Sequence, residues 1–367
     1  MGGVLVGVPR EVKDSEARVA LTPEGVRELS AHGHRVLVQR GAGELSSLHD
    51  EGYAEAGAEL VGVDDAWAAE LVVKVKEPQP EEWHHLRDDL VLFTFLHLAA
   101  YPEVADALLA AGTTALAYET VQLDSGALPL LAPMSEVAGR MAPQIGAHWL
   151  EAENGGRGVL LGGAPGVGPA RVVVLGAGNV GWNAAWIAAG MEAEVLLLDK
   201  DLDRLRWVDQ IHKGRIMTLA SNRGAVERAV AGADLVIGAV LVPGGRAPTV
   251  VTEEMVAGMK RAAVIVDIAI DQGGCIETIR ETSHTQPTYV CHEVVHYAVG
   301  NVPGAVPHTS TYALTNATLP YVLELAELGV GPAVAADAAL ARGLNTEAGA
   351  LVNPVVARAL GLPPGEG

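Results

Sequence analysis

The chain is poor in cysteine, aromatic residues and positive charge, and each shortage argues against a class of protein. Its 367 residues include two cysteines, Cys275 and Cys291, so free thiols in a reducing cytoplasm are favoured over a disulfide scaffold. Aromatic residues make up 4% of the sequence and glycine occurs 43 times, which suits a turn-rich α/β protein. Lysine and arginine number 25 against 45 acidic residues, a net charge of −20 that disfavours nucleic-acid and anionic-membrane partners.

Long apolar runs and metal-ligand spacings are also missing. No uninterrupted apolar run reaches the ~18 residues that a membrane-spanning helix needs. The opening stretch MGGVLVGVPREVKDSEARVA becomes charged at Arg10 and lacks the features of a signal peptide, so we expect a cytoplasmic protein. No CxxC and no Cys/His pair has the spacing of a metal site, and the sequence predicts none.

Short runs rich in valine, leucine and isoleucine recur between alanine-rich helical patterns. We interpret them as strands: VLVGVP, HRVLVQ, ELVVKV, LVLFTFL and TTALAY in the first part, then RVVVLG, EVLLLD, DLVIGAVL and AAVIVDIAI. Continuous apolar strands separated by helices indicate parallel sheets that are covered on both faces. The sequence therefore predicts an α/β protein with two doubly wound domains.

Two helical stretches are placed to carry the chain between these domains. The first begins near Pro133, with Ser135 positioned to cap it, and the second contains Pro320, where we expect a break or kink. We therefore predict a discontinuous first domain, residues 1–132 and 308–367, with a second domain, residues 133–307, inserted in it.

The stretch RVVVLGAGNVGWNAAWIAAGMEAEVLLLD has a dinucleotide-binding fingerprint in its full context. A strand leads into Gly176, Gly178 and Gly181, a helix of small residues follows, and a second strand ends at Asp199. Such glycines make the tight turn, admit the pyrophosphate and let the helix pack on the strand. Asp199 would bind the ribose hydroxyls and repel a 2′-phosphate, which favours NAD over NADP. The alternative is a glycine-rich turn without a ligand.

Charged residues occur where the apolar strands end. Lys74 and Lys76 share one strand face in ELVVKVKEP, where lysine either protects an edge strand or, at Lys76, grips an anionic substrate. Asp267 and Asp271 share a face in AAVIVDIAIDQGG, and we interpret Asp267 as structural and Asp271 as functional. Arg18 is either an exposed arginine or a bidentate partner for a carboxylate.

His97 lies in the most apolar run of the first hundred residues, LVLFTFLHLAAYP, which also holds the chain's two phenylalanines. It is either a core histidine with one satisfied hydrogen bond or an acid/base group at the end of a strand. An ordinary pKa near ~6.5 would suit it to proton transfer near neutral pH.

Together these stretches resemble NAD-dependent alanine dehydrogenase, in a superfamily that includes the α subunit of proton-translocating transhydrogenase. The resemblance is carried by PREVKDSEARVALTP, KVKEP, LFTFLHLA, AYETVQ, LPLLAPMSEVAGR, GAGNVG, LVIGAVLVPG, VDIAIDQGG and TSTYALTNATLPYV. It implies reversible deamination of L-alanine to pyruvate and ammonia by a homohexamer, with a Rossmann NAD-binding domain inserted in a Rossmann-like substrate domain. It implies that His97 is the acid/base residue and Asp271 its catalytic companion, while Arg18 and Lys76 bind the substrate carboxylate and carbonyl.

The resemblance also implies a cofactor site spread along the chain. Its residues are Ser135, Gly176, Gly178, Asn179, Val180, Gly181, Asp199, Arg204, Ser221, Val240, Leu241, Ile268, Asp271, Arg280, Asn301 and Val302. Many members of the family carry methionine where this chain has Val302. Three alternatives stay open: an opine-type or lysine-type amino-acid dehydrogenase, a nucleotide-binding subunit with a membrane partner, and an inactive NAD sensor.

Overall fold

The structure is a computed structural model that describes residues 3–240 and 247–362. The chain forms two compact units, one within Met1–Met134 and Gly304–Gly367 and the other Ser135–Pro303. Each unit has its own α/β sheet, so the predicted fold class, one doubly wound domain inserted in another, is confirmed. Among the helices of the described ranges, none combines the length and the apolar character needed to cross a membrane.

The strands and helices of the described residues follow in chain order. The strands are β1 Leu5–Val8, β2 Arg35–Gln39, β3 Glu59–Val61, β4 Leu71–Val73, β5 Val91–Thr94, β6 Thr114–Ala117, β7 Arg171–Leu175, β8 Glu194–Asp199, β9 Ile216–Ala220, β10 Leu235–Gly238, β11 Val264–Asp267, β12 Thr288–Cys291, β13 Val294–Tyr297, β14 Leu344–Glu347 and β15 Ala350–Leu351. The α-helices are α1 Pro23–Ala31, α2 Asp50–Glu55, α3 Val63–Trp67, α4 Pro102–Ala111, α5 Ala132–Leu150, α6 Asn179–Gly190, α7 Leu202–His212, α8 Arg223–Ala231, α9 Glu253–Ala257, α10 Pro307–Leu328, α11 Val330–Ala336, α12 Ala338–Gly343 and α13 Pro354–Leu360.

The sheet of the first unit has the strand order β15-β14-β6-β5-β4-β1-β2-β3. Strands β1 to β6 pair in parallel, and β14 and β15 add an antiparallel edge. All three residues of β4 are buried, as expected of an apolar strand covered on both faces. Because β4 is an interior strand that ends at Val73, the interpretation of Lys74 and Lys76 as guards of an edge strand is wrong.

The sheet of the second unit has the order β12-β13-β11-β10-β7-β8-β9, in which β12 is the antiparallel edge strand. From β7 the chain proceeds to β8 and β9 on one side and then returns to β10 on the other. Such a reversal opens a crevice at the carboxyl ends of the two central strands, which is where ligands bind in sheets of this kind. Gly176 follows β7 at this point, and Ala239 follows β10.

Two helical details differ from the prediction. Helix α5 begins at Ala132, so Ser135 lies half-buried inside its first turn and not at the cap. Helix α10 continues through Pro320 as one 22-residue helix. A proline removes one backbone hydrogen bond, and the buried residues Leu314, Val322 and Leu325 on either side anchor the helix by packing.

Candidate active site

His97 lies just beyond the end of β5 with a left-handed backbone, φ 48°, which is uncommon for a side chain other than glycine. The carboxylate of Glu119 accepts hydrogen bonds from the N–H groups of His97, at 2.6 Å, and Leu96, at 3.2 Å. The imidazole is half-buried and stacks on Phe95, with ring centroids 5.5 Å apart. Glu119 thus holds the backbone of His97 in this conformation, and Phe95 orients its ring.

Three cations surround this imidazole in the first unit. Burial, followed by the positive charges of Lys76, Lys13 and Arg18, lowers the pKa of His97 to about 3. The imidazole is therefore neutral at pH 7. The ordinary pKa of about 6.5, which the sequence suggested, would leave it partly protonated at that pH. The structure thus brings together three of the four residues predicted for substrate chemistry, Arg18, Lys76 and His97, and adds Lys13. We call these four residues the cationic cluster.

The two lysines of the sequence KVK have different environments. Lys74 is fully buried, and its Nζ donates to Glu11 Oε2 at 3.2 Å and to Glu82 Oε1 at 2.9 Å. Lys76 is half-buried, and burial together with the nearby charge of Arg18 lowers its pKa. Lys74 therefore neutralises buried carboxylates of the fold, whereas Lys76 belongs to the cationic cluster.

Arg18 is only 2% exposed, so the alternative of an exposed arginine is wrong. Its Nε donates to Glu16 Oε1 at 2.6 Å, its Nη2 pairs with Glu16 Oε2, and its Nη1 lies 3.0 Å from Met134 Sδ. Burial acts to raise the pKa of Glu16, but the hydrogen bonds and charge of Arg18 outweigh it and lower the pKa to about 2. A substrate carboxylate would therefore share this guanidinium with an ionised glutamate.

Sequence reasoning missed two residues here, Lys13 of the cationic cluster and Glu119, which binds the backbone of His97. Glu119 follows directly after the strand predicted from TTALAY, so the strand-end argument applied to Lys76 could have identified it. Lys13 gave no comparable signal. It forms an ion pair with Glu77, and its Nζ lies 3.3 Å from the hydroxyl of Tyr101.

Acid should weaken the fold through His97. The pKa of about 3 in the folded state lies below the ordinary value of about 6.5 expected in the unfolded chain, so the unfolded chain binds more protons between these pH values. The contribution of His97 to the free energy of unfolding is therefore fully present above pH ~6.5. It is lost as the pH falls toward 3, by up to about 1.4 kcal/mol per pH unit.

Urea unfolding at neutral and at mildly acidic pH measures this loss. We expect His97→Asn, which removes the titrating group, to lose about 1 kcal/mol less than the wild type when the pH falls from about 7.5 to about 5.5. Equal losses in the two proteins would contradict the lowered pKa.

In the second unit, the backbone geometry at the glycines of the fingerprint is compatible with the roles predicted for them. Gly176 has φ 101°, and a Cβ at Gly181 would lie 1.7 Å from the Gly176 carbonyl oxygen. At Gly178, the N-cap of α6, a Cβ would meet Arg204 Nη1 at 3.7 Å and no other described atom within 4 Å. The amino end of α6 is therefore an open cradle beside Gly178, and these residues fit a dinucleotide phosphate.

Asp199 ends β8 and closes the glycine turn. Its Oδ2 accepts a hydrogen bond from Ala177 N at 2.5 Å, and its Oδ1 accepts one from Asp201 N at 2.8 Å. Arg204 Nη1 lies 4.0 Å from Asp199 Oδ2, and Ser221 N donates to the Asp199 carbonyl oxygen at 2.8 Å. The predicted cofactor residues Asp199, Arg204 and Ser221 are thus neighbours beside the cradle.

Other predicted cofactor residues lie at strand ends and turns of the same unit. Val240 follows β10, and its backbone N would lie 3.3 Å from a Cβ at Gly176. Ile268 is half-buried and begins a 3₁₀ turn. Asn301 has a left-handed backbone, φ 56°, and Val302 is packed in the core at 4% exposure. The Val302 side chain is therefore part of the apolar core of the second unit.

The rest of the predicted set has varied surroundings. Asn179 and the buried Val180 form the first turn of α6. The guanidinium of Arg280 lies 4.2 Å from the ring centroid of Tyr289 and borders a surface cavity of about 450 Å³. Leu241 lies outside the described residues.

Asp267 and Asp271 do not share a strand face, as the sequence had suggested. Strand β11 ends at Asp267, and the exposed Asp271 lies in the 3₁₀ turn Ile268–Gln272. Buried Asp267 starts that turn by accepting hydrogen bonds from Ala269 N at 2.9 Å and Cys275 N at 2.8 Å, so its structural role is confirmed. Asp271 faces Gly300, where a Cβ would lie 3.3 Å from its Oδ1.

Comparisons with known proteins give a consistent family. The N-terminal domain of alanine dehydrogenase/PNT matches residues 7–138, and the C-terminal domain of the same family matches residues 142–354. Alanine dehydrogenase of Mycolicibacterium smegmatis is 56% identical over 362 residues, which cover 98% of each chain. A solved L-alanine dehydrogenase superposes with a TM-score of 0.95 at 51% identity, covering 97% of this chain and 99% of that one.

A more distant solved relative has the same architecture. The transhydrogenase from Sinorhizobium meliloti superposes with a TM-score of 0.83 at 26% identity, covering 95% of this chain and 99% of that one. Both halves of the chain thus match one family, and the relatives are covered over nearly their whole length. The chain belongs to the alanine dehydrogenase/PNT family and is an NAD-dependent oxidoreductase.

Proposed function

We propose that the chain catalyses the reversible oxidative deamination of L-alanine to pyruvate and ammonia, with NAD as hydride acceptor. The observation that carries the proposal is the cationic cluster, in which a neutral His97 lies among Lys13, Arg18 and Lys76 at the carboxyl ends of β4 and β5. An amino acid and its keto acid both carry a carboxylate, and this cluster supplies the opposite charge. The extensive similarity to alanine dehydrogenases supports alanine among such substrates.

The proposed roles follow from the charges and donors of the cluster. Arg18 binds the substrate carboxylate through its guanidinium, which Glu16 holds in place, and Lys76 binds the carboxylate and the carbonyl oxygen. Burial and the charge of Arg18 lower the pKa of Lys76, which means that little water surrounds its ammonium group. A bound anion would therefore interact strongly with this ammonium group.

His97 transfers the proton of the hydrolytic step. When bound, NAD would supply the hydride chemistry that oxidises the amine of alanine to an imine, with the Cα hydrogen leaving as hydride. Neutral His97 then takes a proton from the water that attacks the imine carbon and gives it to the nitrogen of the carbinolamine. The neutral imidazole next accepts the hydroxyl proton as the carbonyl forms, the C–N bond breaks and ammonia leaves. The substrate carboxylate offsets the three cations and raises the pKa of His97, which enables the imidazole to hold that proton. By resemblance, Asp271 orients the water or the imine nitrogen.

We propose that residues 133–307 form the NAD-binding domain and that residues 1–132 and 308–367 form the substrate domain. The open amino end of α6 would hold the pyrophosphate, and Asp199 the ribose hydroxyls. The other residues proposed to line the site are Ser135, Asn179, Val180, Arg204, Ser221, Val240, Leu241, Ile268, Asp271, Arg280, Asn301 and Val302. We also propose a cytoplasmic homohexamer, which the free thiols and the resemblance support.

The first experiment mixes the purified chain with pyruvate, ammonium and NADH and follows the loss of NADH absorbance. We expect oxidation that depends on both pyruvate and ammonium and that is much weaker with NADPH. Glyoxylate and 2-oxoglutarate serve as competing keto acids. A requirement for a second amino acid would favour an opine-type or lysine-type enzyme. NADH binding without turnover would favour a nucleotide-binding subunit or a sensor.

A further inference from the structure

Three side chains that could bind a metal ion lie close together in the first unit, and none of them is used in the proposed reaction. Asp64 lies on α3, while His84 and His85 end the 3₁₀ turn Pro80–His85. One ligand atom from each residue lies within 4.8 Å of the other two, and no other group of three such residues occurs in the described part of the chain. Their sequence separation explains why spacing motifs gave no signal.

The distances suit a shared cation better than a direct bond. His85 Nε2 lies 3.9 Å from Asp64 Oδ1, which is longer than a hydrogen bond of about 3.2 Å. Two ligands that each lie about 2.0–2.2 Å from one tetrahedral zinc ion are separated by about 3.3–3.6 Å, so His85 and Asp64 need to approach by only a few tenths of an ångström. The rings of His84 and His85 are already close, with centroids 3.8 Å apart. The Asp64 carboxylate is 88% exposed and His84 is exposed, so rotation of these two side chains can close the remaining gap.

His85 is held in place before any metal binds. Its ring stacks on the buried Trp67 of α3, with centroids 5.3 Å apart and an interplanar angle of 6°. A fixed imidazole loses little conformational freedom when it becomes a ligand.

We propose that Asp64, His84 and His85 form a binding site for a divalent cation of the zinc class, with water completing the coordination. Two imidazoles and one carboxylate are a ligand set of Zn²⁺, whereas Mg²⁺ and Ca²⁺ prefer oxygen ligands alone. A bound ion would join α3 to the turn Pro80–His85. The same turn carries Glu82, which holds buried Lys74, so the ion would stabilise the first unit against unfolding.

Metal binding to the full chain tests this proposal. The protein is stripped with a chelator and dialysed against Zn²⁺, and thermal unfolding is measured with Zn²⁺ or with Mg²⁺ alone. His84→Gln and Asp64→Asn each remove one ligand from an exposed position. The control is His49→Gln, because exposed His49 also lies beside a carboxylate, Glu44 Oε2 at 2.8 Å, but belongs to no group of three ligands among the described residues.

We expect the wild type and His49→Gln to bind one equivalent of Zn²⁺ and to unfold at a higher temperature with it. His84→Gln and Asp64→Asn should bind at least roughly tenfold more weakly and show no such rise. All four metal-free proteins should unfold at similar temperatures, which separates a lost ligand from a lost fold. The proposal is overturned if the wild type binds no Zn²⁺, if Mg²⁺ stabilises it equally, or if the two ligand variants bind as the wild type does. Oxidoreductase activity does not enter this readout, so the metal site and the proposed reaction fail independently.

Discussion

His97→Asn should lower kcat for pyruvate amination by about 10²–10⁴-fold and leave NADH binding unchanged, because it removes one general acid/base group. Asparagine is the suitable replacement, since it tolerates the left-handed backbone, φ 48°, that His97 adopts. Its backbone N–H can still donate to Glu119, so the turn after β5 should persist. The variant therefore separates the loss of the imidazole from a collapse of the turn.

Steady-state kinetics and a fluorescence titration with NADH measure the two quantities. His49→Gln, an exposed substitution in the same unit, should behave as the wild type in both assays. If His97→Asn retains kcat, His97 is not the acid/base residue. If it loses NADH binding, the residue acts on the cofactor or on the fold, and the proposed role is wrong.

The second large effect is a contrast between two lysines that stand two positions apart. Lys74→Met should lower the free energy of unfolding by about 3–5 kcal/mol, because it leaves the buried carboxylates of Glu11 and Glu82 without their cation. Lys76→Met should leave the free energy of unfolding within about 1 kcal/mol of the wild type. It should instead lower kcat/KM for pyruvate roughly 10- to 100-fold, the equivalent of one charged hydrogen bond.

Urea unfolding and steady-state kinetics on the same two preparations check this contrast. Lys74→Met, assayed well below its unfolding midpoint, should keep most of its affinity for pyruvate. Near-normal stability of Lys74→Met would show that its two glutamates take up protons or water in place of the lysine. Wild-type kcat/KM in Lys76→Met would remove Lys76 from the substrate site.

The sequence was informative wherever strands are continuously apolar. Runs such as RVVVLG and DLVIGAVL became the central strands β7 and β10, which are buried on both faces. Strand β9 was missed because its IMTLA sequence is half exposed and lacks a continuous apolar run. The antiparallel edge strands β12 and β15 were missed for a related reason. An edge strand forms because a neighbouring strand pairs with it, and its own sequence has no distinctive apolar pattern.

The candidate site shows a similar limit to what could be predicted from the sequence. Position at a strand end was enough to identify His97, Lys76 and Asp199 as candidates, because the carboxyl ends of parallel strands gather at one edge. The pairing of Lys74 with Glu11 joins residues far apart in the chain, and no local pattern encodes it. The lowered pKa of His97 has the same origin, since it depends on burial and on three cations from two other segments of the chain.

The Glu16–Arg18 pair has a consequence for the thermodynamics of substrate binding. A free arginine side chain loses about 0.5–1.5 kcal/mol of conformational entropy when a ligand immobilises it. Glu16 already immobilises the guanidinium of Arg18 on two nitrogens, so that ordering takes place during folding and not during binding. The substrate carboxylate that we propose for Arg18 would therefore meet a rigid partner, and its binding should show a small entropic penalty in calorimetry. A flexible arginine at an anion-binding site would still lose this conformational entropy when the anion binds.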